Sequence, residues 1–280
     1  MILSPNGMSV FFFGGIMSYQ FDVQKITDDC IEWLRSWFLS NGNSQTKAVI
    51  GISGGKDSAL TAKLLVEALG KEKVFGVLMP NGIQKDISDS QKVCEVLGIK
   101  NITIDISDAY VGLTKNIKSF LPENDFSYSN YSTNTPARLR MTTLYGISAI
   151  IGNSMVANTC NLSEDAMGYS TLYGDAAGSF APISKLTTDE VVAMGDFLGM
   201  PKEIMHKAPS DGMCGKTDED NLGWTYHEVN ELIRQNIKGP HYEKIIERWN
   251  KNKFKLELIQ LPCYMPDLPI NLSDFPGVSK

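Results

Sequence analysis

The sequence predicts an α/β protein with an open, mostly parallel sheet that is doubly wound, so that helices cover both of its faces. Short β-branched runs alternate with stretches of helical periodicity between residues 47 and 120. Gly70 and Gly98 follow two of the helical stretches, in the position where glycine commonly ends a helix. Strands and helices that alternate at this spacing indicate β-α-β units, because parallel neighbours need a long crossover connection.

The predicted elements follow one another in a regular order. An amphipathic helix at Ile26–Leu39 comes first, with four apolar residues near one face: Ile26, Ile31, Leu34 and Phe38. Three strands rich in β-branched residues are predicted after it: Lys47–Ile52, Lys73–Met79 and Asn101–Ile106. Each of these strands is followed by a predicted helix: Asp57–Leu69, Asp86–Leu97 and Asp108–Phe120.

The second half of the chain continues this scheme and then becomes helical. Leu121–Asn134 predicts a surface loop, and Thr135–Ile151 predicts a long helix with Pro136 in its first turn, where proline is tolerated. Ser154–Thr159 predicts a fourth strand, whereas Asn161–Pro182 is Gly-rich and irregular. Three further helices are predicted: Thr187–Leu198, Tyr226–Ile237 and Tyr242–Lys251. The prediction is a Rossmann-like single domain at 18–273 with an extra C-terminal helical region, a disordered leader (1–17) and a tail (274–280).

Composition argues against several classes of protein. The net charge of -6 and the lack of a Lys/Arg-rich stripe argue against a nucleic-acid partner. No apolar run approaches the roughly 18 to 20 residues of a membrane span, so no membrane partner is predicted. The five cysteines form no C-x-x-C pair, and a secretory signal would need a basic residue before Lys25. We therefore expect a cytoplasmic protein with reduced thiols.

The most informative segment is a glycine loop between the first predicted strand and the helix that follows it. Its residues are Gly51, Ile52, Ser53, Gly54, Gly55, Lys56, Asp57 and Ser58. Glycine lets the backbone approach a ligand closely, and the unpaired N–H groups that begin the helix attract anions. Hydroxyl groups of Ser53 and Ser58 can donate to phosphate oxygens, and Asp57 can hold Mg2+ that bridges the phosphates. The alternative is a structural turn in which Asp57 caps the helix.

This loop resembles the S-G-G-x-D-S signature of the N-type ATP pyrophosphatases, the adenine nucleotide alpha hydrolase-like superfamily. The resemblance implies that ATP is cleaved between its α and β phosphates and that the nucleotide is transferred to a substrate oxygen. It also implies that Gly51, Ser53, Gly54, Gly55, Lys56, Asp57 and Ser58 bind ATP.

Later segments resemble one family of this group, the ammonia-dependent NAD synthetases. Residues 134–141 (N-T-P-A-R-L-R-M) resemble the family's N-x-x-A-R-x-R-M helix, which implies that Arg138 contacts deamido-NAD. Residues 159–169 (T-C-N-L-S-E-D-A-M-G-Y) resemble the stretch after the fourth strand. There Thr159 would contact ATP and Glu164 would be the second carboxylate on magnesium. Glu164 could equally be an acid favoured by a helix N-terminus.

Two more segments complete the resemblance. Residues 171–175 (T-L-Y-G-D) resemble the family's Y-G-D loop, which implies substrate contacts of Tyr173 and Asp175. Asp175 could also act as a general base toward ammonium, or merely shape the pocket. Residues 207–212 and 217–220 resemble the family's A-P-(S/T)-A-x-L...D-E-x-x-L-G segment, which implies that Ser210 contacts ATP. This long Gly-rich loop is expected to be mobile before substrate binds, and the acids Asp218 to Asp220 are expected to be solvated capping residues. The tail with Lys255 resembles the family's basic ligand-binding end only loosely.

The sequence departs from the family pattern at two lysines. The family lysine that contacts ATP after the Y-G-D loop corresponds to Thr188 here, and Lys185 stands three residues before it. We expect Lys185 to replace this contact, or the contact to be missing. A second lysine, which many bacterial members have directly before Y-G-D, is replaced by Leu172.

The resemblance implies a ligase that adenylates the nicotinate carboxylate of deamido-NAD with ATP and Mg2+ and then forms the amide with ammonia. It also implies a homodimer, with the helices at 26–39 and from Thr135 as candidate interface elements. The printed sequence contains no segment like the amidase domain of glutamine-dependent members, so we expect free ammonia or ammonia from a separate glutaminase. The alternatives are a pyrophosphatase that adenylates another acceptor, such as a tRNA base or a nucleotide, and a regulatory module that binds ATP without turnover.

Overall fold

Four parallel strands form the central sheet: β1 Lys47–Gly51, β2 Val74–Leu78, β3 Lys100–Thr103 and β4 Ser154–Val156. The computed structural model describes residues 19–84, 86–207, 217–272 and 275 of the chain. The strand order is β3-β2-β1-β4, and every pairing is parallel. This order confirms the predicted parallel α/β fold, and it places β1 at the centre of the sheet, where its carboxyl end begins the glycine loop.

Twelve α-helices lie within the described residues. In chain order they are α1 Val23–Asn41, α2 Lys56–Leu69, α3 Ile87–Leu97, α4 Ser107–Lys118, α5 Ser129–Ile151, α6 Leu162–Ala166, α7 Thr188–Phe197, α8 Lys202–Met205, α9 Asp218–Leu222, α10 Tyr226–Gln235, α11 Tyr242–Asn252 and α12 Phe254–Leu258. None of these helices combines the length and the apolar character that a membrane span needs.

Helices cover both faces of the sheet, as predicted. Ala48 and Ile50 of β1 face a core that also contains the buried sides of α1, α2, α3 and α7. Val49 of β1 and Val77 of β2 face the other way, toward Leu144 and its neighbours on α5. Because both of its faces are covered, β1 is a continuous apolar run rather than an alternating one.

The C-terminal helices form a second apolar cluster beside the sheet. Leu162 and Met167 pack with residues of α10 and α11, and the ring of Trp249 stacks on Phe275 with centroids 5.4 Å apart. This cluster confirms the extra C-terminal helical region. It also supports the short helix α6, which follows β4 at the carboxyl edge of the sheet.

The long helix α5 begins earlier than its sequence indicates. It starts at Ser129, so Pro136 lies inside the helix and not in its first turn. Residues 129–135 are polar and favour helix only weakly. Tertiary contacts stabilise this first part: Tyr131 lies 5.9 Å from Tyr110 between ring centroids, and its hydroxyl is 2.9 Å from Thr114 Oγ1 of α4.

Candidate active site

The glycine loop joins β1 to α2 and lies against the beginning of α3. Gly54 has a φ of 81°, and a Cβ added there would lie 2.9 Å from both Asp89 Cβ and Ser90 N. The loop is held from within, since Ser53 Oγ accepts from Gly55 N at 3.2 Å and lies 3.0 Å from Ser58 Oγ. Gly54 is therefore required both by its conformation and by the close approach of α3.

The beginning of α2 is open for an anion. Gly55 is the N-cap residue and makes no side-chain capping bond, so the first N–H groups of the helix keep their capacity to bind phosphate. Asp57 does not cap the helix, because its two oxygens accept from Lys56 and Asn161. The structure thus rejects the alternative in which Asp57 serves only as a cap.

Asn161 brings the second predicted acid to the loop. This residue is buried and caps α6, with its Oδ1 accepting from Glu164 N at 3.0 Å. Its Nδ2 donates to Asp57 Oδ1 at 2.9 Å. One asparagine side chain therefore binds the carboxylate of Asp57 and the backbone of Glu164. The region predicted to be irregular contains a short capped helix, which places Glu164 beside the loop.

The ammonium group of Lys56 lies between the two acids. Its Nζ is 2.8 Å from Asp57 Oδ2 and 3.5 Å from Glu164 Oε1, and its side chain is only 7% exposed. Burial by itself would lower the pKa of Lys56, but the charges of Asp57 and Glu164 raise it above its usual range. Burial, followed by the charge of Asp57, raises the pKa of Glu164, and the charge of Lys56 opposes this shift.

The acid pair fits a divalent cation. Mg2+ in proteins usually takes one or two carboxylates and completes its shell with phosphate oxygens and water. Asp57 and Glu164 already converge on one cation, the ammonium of Lys56. The donor set therefore suits a divalent cation, and the two metal ligands stay a prediction.

Two residues near this pair were not predicted to belong to the site. Asp218 begins α9 and is buried, and its charge contributes to the raised pKa of Glu164. Tyr226 begins α10 and is 3% exposed, and burial and the charges of Glu164 and Asp218 raise its pKa. Its hydroxyl has no hydrogen-bond partner within the part of the chain that the structure describes.

The prediction that all the acids of residues 218–220 are solvated capping residues was wrong for Asp218. Asp220 does cap, because its Oδ2 accepts from Thr217 N at 2.9 Å. The capping pattern identifies the helix start but does not reveal which side of the short helix is buried. Nothing in the local sequence distinguishes Tyr226 from an ordinary core aromatic.

The Y-G-D loop lies against α5. Arg138 Nε donates to Leu172 O at 3.2 Å, which joins the predicted substrate arginine to the loop. Tyr173 has a φ of 57° and is 55% exposed, an uncommon backbone conformation that presents the ring to solvent. Asp175 is exposed, and its Oδ1 accepts from Thr171 N at 2.7 Å.

The remaining predicted residues are held by the chain itself. Lys255 Nζ donates to Gly168 O at 2.7 Å and to Ser170 O at 2.8 Å, and burial lowers its pKa. Lys185 Nζ lies 4.7 Å from the centre of the Phe275 ring. An ammonium group has three donors, so these partners leave capacity for a ligand, and both contacts stay predictions.

Thr188 and Thr159 occupy different environments. Thr188 is buried at the start of α7, where its Oγ1 accepts from Asn230 at 2.8 Å and its N–H donates to Ser163 Oγ at 3.1 Å. Thr159 is partly exposed and follows β4 at the carboxyl edge of the sheet. Ser210 lies outside the described residues, and all three contacts with ATP stay predictions.

Three features together define a nucleotide-binding α/β protein. They are a glycine loop at the carboxyl edge of a parallel sheet, the open start of a helix, and a pair of acids that converge beside the loop. The sequence matches the family model for NAD synthase over residues 26–260. The chain belongs to the NAD synthase family.

Individual relatives agree with this assignment. An NH(3)-dependent NAD(+) synthetase from Thermococcus sibiricus is 42% identical over 235 residues, which are 81% of this chain and 89% of the relative. The structure of an NMN synthetase from Francisella tularensis is similar with a TM-score of 0.77 at 31% identity, over 87% of this chain and 99% of the other. An NH3-dependent NAD synthetase from Campylobacter jejuni, in complex with the nitrate ion, gives a TM-score of 0.66 at 30% identity, over 88% and 100%. The predicted family and fold class are confirmed.

Proposed function

We propose that the protein converts deamido-NAD to NAD with ATP and ammonia, and releases AMP and pyrophosphate. The observation that carries the proposal is the convergence of Asp57 and Glu164 beside a glycine loop, in a chain of the NAD synthase family. Relatives named NH(3)-dependent NAD(+) synthetase support the same reaction and the same nitrogen source. The enzyme is a ligase that forms a carbon–nitrogen bond.

The reaction has two steps. An oxygen of the nicotinate carboxylate attacks the α-phosphorus of ATP, the bond to the bridging oxygen breaks, and pyrophosphate leaves with that electron pair. The product is an acyl-adenylate, in which AMP is a better leaving group than the original carboxylate oxygen. Ammonia then attacks the acyl carbon, a proton is lost from nitrogen, and AMP leaves. Much of the acceleration comes from the positioning of two large nucleotides by the protein.

Each group of residues has its part in these steps. The N–H groups of Gly54 to Ser58 and the hydroxyls of Ser53 and Ser58 bind the phosphates. Thr159, Ser210, Lys185 and Thr188 complete the proposed ATP site. Arg138, Tyr173, Asp175 and Lys255 bind deamido-NAD, and Asp175 receives the proton that ammonium must lose. Asp57 and Glu164 hold Mg2+, which supplies positive charge near the phosphates.

The metal assignment predicts the behaviour of two conservative variants. Asp57→Asn and Glu164→Gln keep the size and shape of the side chain but remove its charge and one acceptor oxygen, so each should lower the rate of adenylation by at least about a hundredfold. Pyrophosphate release at saturating ATP measures this rate, and thermal unfolding checks that the fold is retained. Turnover at the wild-type rate in both variants would contradict the assignment of Asp57 and Glu164 as metal ligands.

The substrate assignment has a direct test. Pyrophosphate release and NAD formation are measured with ATP, Mg2+ and deamido-NAD, with ammonium in one arm and glutamine in the other. We expect NAD with ammonium only. NAD formation from glutamine by the purified protein would contradict the nitrogen source, and a lack of pyrophosphate release with deamido-NAD would contradict the substrate.

A second candidate acceptor is nicotinate mononucleotide. The observation that favours it is the similarity to a structure named NMN synthetase, at 31% identity with a TM-score of 0.77. The same assay with nicotinate mononucleotide separates the two candidates, because the ratio of the kcat/KM values for the two acceptors measures which one the enzyme prefers. We expect the larger value for deamido-NAD.

The proposal includes a cytoplasmic homodimer of a single domain at 18–273. The apolar side of α1 is already covered within the chain, since Cys30, Leu34 and Phe38 belong to the central core. In contrast, α5 has only two buried residues, and its Ile150 is 87% exposed. We therefore assign the dimer contact to α5 and not to α1. Ammonia could still reach such a dimer from a separate glutaminase.

A further inference from the structure

We infer that Lys56 occupies the metal site in the absence of nucleotide and yields it only when ATP binds, so that the protein takes up its divalent cation together with ATP. The inference rests on the proposed function of Asp57 and Glu164 as metal ligands. Lys56 thereby sets the order in which the ligands enter this site.

The ammonium group of Lys56 occupies the position between the two acids. Lys56 Nζ lies within hydrogen-bond distance of Asp57 Oδ2, at 2.8 Å, and of Glu164 Oε1, at 3.5 Å. A divalent cation shared by the same two oxygens would need the space between them. Its charge would also repel the ammonium at short range. Metal binding therefore requires that the lysine side chain moves away.

The surroundings hold the pair in the geometry that serves either cation. Asn161 donates to the other oxygen of Asp57 at 2.9 Å and caps the helix that carries Glu164. Asn161 thus continues to hold the Asp57 carboxylate and the backbone of Glu164 when the lysine leaves. Without any cation, two carboxylates with little solvent access would repel each other, so the ammonium stabilises the site before ligand arrives.

ATP offers the ammonium a new partner. Lys56 is the first residue of α2, directly after Gly55 at the proposed phosphate site. The phosphate groups of bound ATP would attract the ammonium away from the acids, and the acids would become available to the metal that ATP brings. Each carboxylate would therefore face a cation both before and after ATP binds.

Binding of Mn2+, followed by electron paramagnetic resonance, tests the inference without turnover and without any acceptor. The wild-type protein alone should bind Mn2+ only weakly at this site. Lys56→Met removes the competing charge and should tighten nucleotide-free Mn2+ binding by at least about tenfold. Lys56→Arg keeps the charge and should behave as the wild type. Adding Asp57→Asn to Lys56→Met should abolish the gained binding.

A matched control comes from the same helix. Lys63 of α2 pairs with Glu67 away from the acid pair, so Lys63→Met should leave Mn2+ binding unchanged. Wild-type Mn2+ affinity without nucleotide that equals that of Lys56→Met would overturn the inference. So would a Lys56→Met protein that is folded, by its thermal unfolding curve, and gains no binding.

The wild-type protein provides a test that needs no Lys56 variant. With α,β-methylene ATP, which cannot be cleaved between the α and β phosphates, Mn2+ binding should appear and should be absent from Asp57→Asn. Equal binding with and without the analogue would overturn the inference. Because no acceptor is present, an error in the proposed substrate leaves these outcomes unchanged. An Asp57→Asn protein that binds Mn2+ normally would instead identify the metal assignment as the error.

Discussion

At the scale of single residues, the hydroxyl of Tyr226 is a buried polar group without a partner within the described residues, beside the acids of the site. Such a group costs about 1 to 3 kcal/mol when it is left unpaired, so a ligand that accepts from it would gain binding. The phenol is protonated at neutral pH, as an ordinary tyrosine is, and burial and the neighbouring carboxylates raise its pKa further. It can therefore donate to an incoming phosphate or water oxygen.

Tyr226→Phe should stabilise the free protein and impair the reaction. Removal of the unpaired hydroxyl should raise the melting temperature by a few degrees, while kcat falls about tenfold or more. Tyr19→Phe is the matched control, since Tyr19 donates to Glu190 Oε1 at 3.0 Å and its loss should lower the melting temperature. A lower melting temperature for Tyr226→Phe would show that its hydroxyl is satisfied in the free protein.

Arg138 acts at the same scale, on the side of the acceptor. Arg138→Ala should raise KM for deamido-NAD about tenfold and change KM for ATP much less. The reason is that the variant lacks the guanidinium group, which donates hydrogen bonds to deamido-NAD. Steady-state kinetics with each substrate varied in turn measure the two constants. Equal effects on both would mean that Arg138 is wrongly assigned, and Arg138→Lys shows how much of the effect is due to charge alone.

At the scale of elements, a buried ion pair joins α7 to α10. Arg234 binds both oxygens of Glu190, at 2.7 and 2.8 Å, and both side chains are 1% exposed. Arg234 also donates to Pro269 O and Lys185 O, so the pair connects the C-terminal helices to the segment that leads into α7. Its other partners satisfy the remaining polar atoms, which is the condition for a buried pair to be tolerated.

Removal of one partner should be costly. Glu190→Gln and Arg234→Met should each lower the free energy of unfolding by about 3 to 5 kcal/mol, because a buried charge is left uncompensated. Urea unfolding measures the change. Lys25→Gln is the control, since it breaks an exposed ion pair with Asp29 on α1 and should have no measurable effect. A loss below about 1 kcal/mol in both buried variants would contradict this account.

At the scale of the whole molecule, the proposed dimer depends on which helix face lacks a partner. Ile150→Lys places a charge on the exposed face of α5 and should raise the dimer dissociation constant at least tenfold, since a buried unpaired charge costs more than about 1.4 kcal/mol. Leu39→Lys is the matched control on α1, where Leu39 is exposed beside a face that packs within the chain. Sedimentation velocity measures the two variants, and dissociation caused by Leu39→Lys alone would move the interface to α1.

Much of the fold and part of the site could be predicted because their signals are local. The periodicity of β1 and α2, the glycines between them and the capped start of α7 each depend on residues that are close in sequence. The start of α5 could not be predicted, because contacts of Tyr131 with α4 override the weak helix propensity of residues 129–135. The burial of Asp218 likewise depends on packing beyond its own short helix.

The sequence by itself determined the parallel α/β fold and the glycine loop, which follow from periodicity and composition. The family was identified by the resemblance of motifs, and the same resemblance supplied Glu164 as a candidate acid. Only the tertiary structure decided how the acids are arranged. Lys56 meets Glu164 across 108 residues of sequence, and Asn161 meets Asp57 across 104. Such contacts depend on the position of α6 at the end of β4, next to the loop that follows β1. Local patterns specify backbone conformation, whereas long-range packing decides which charges face one another.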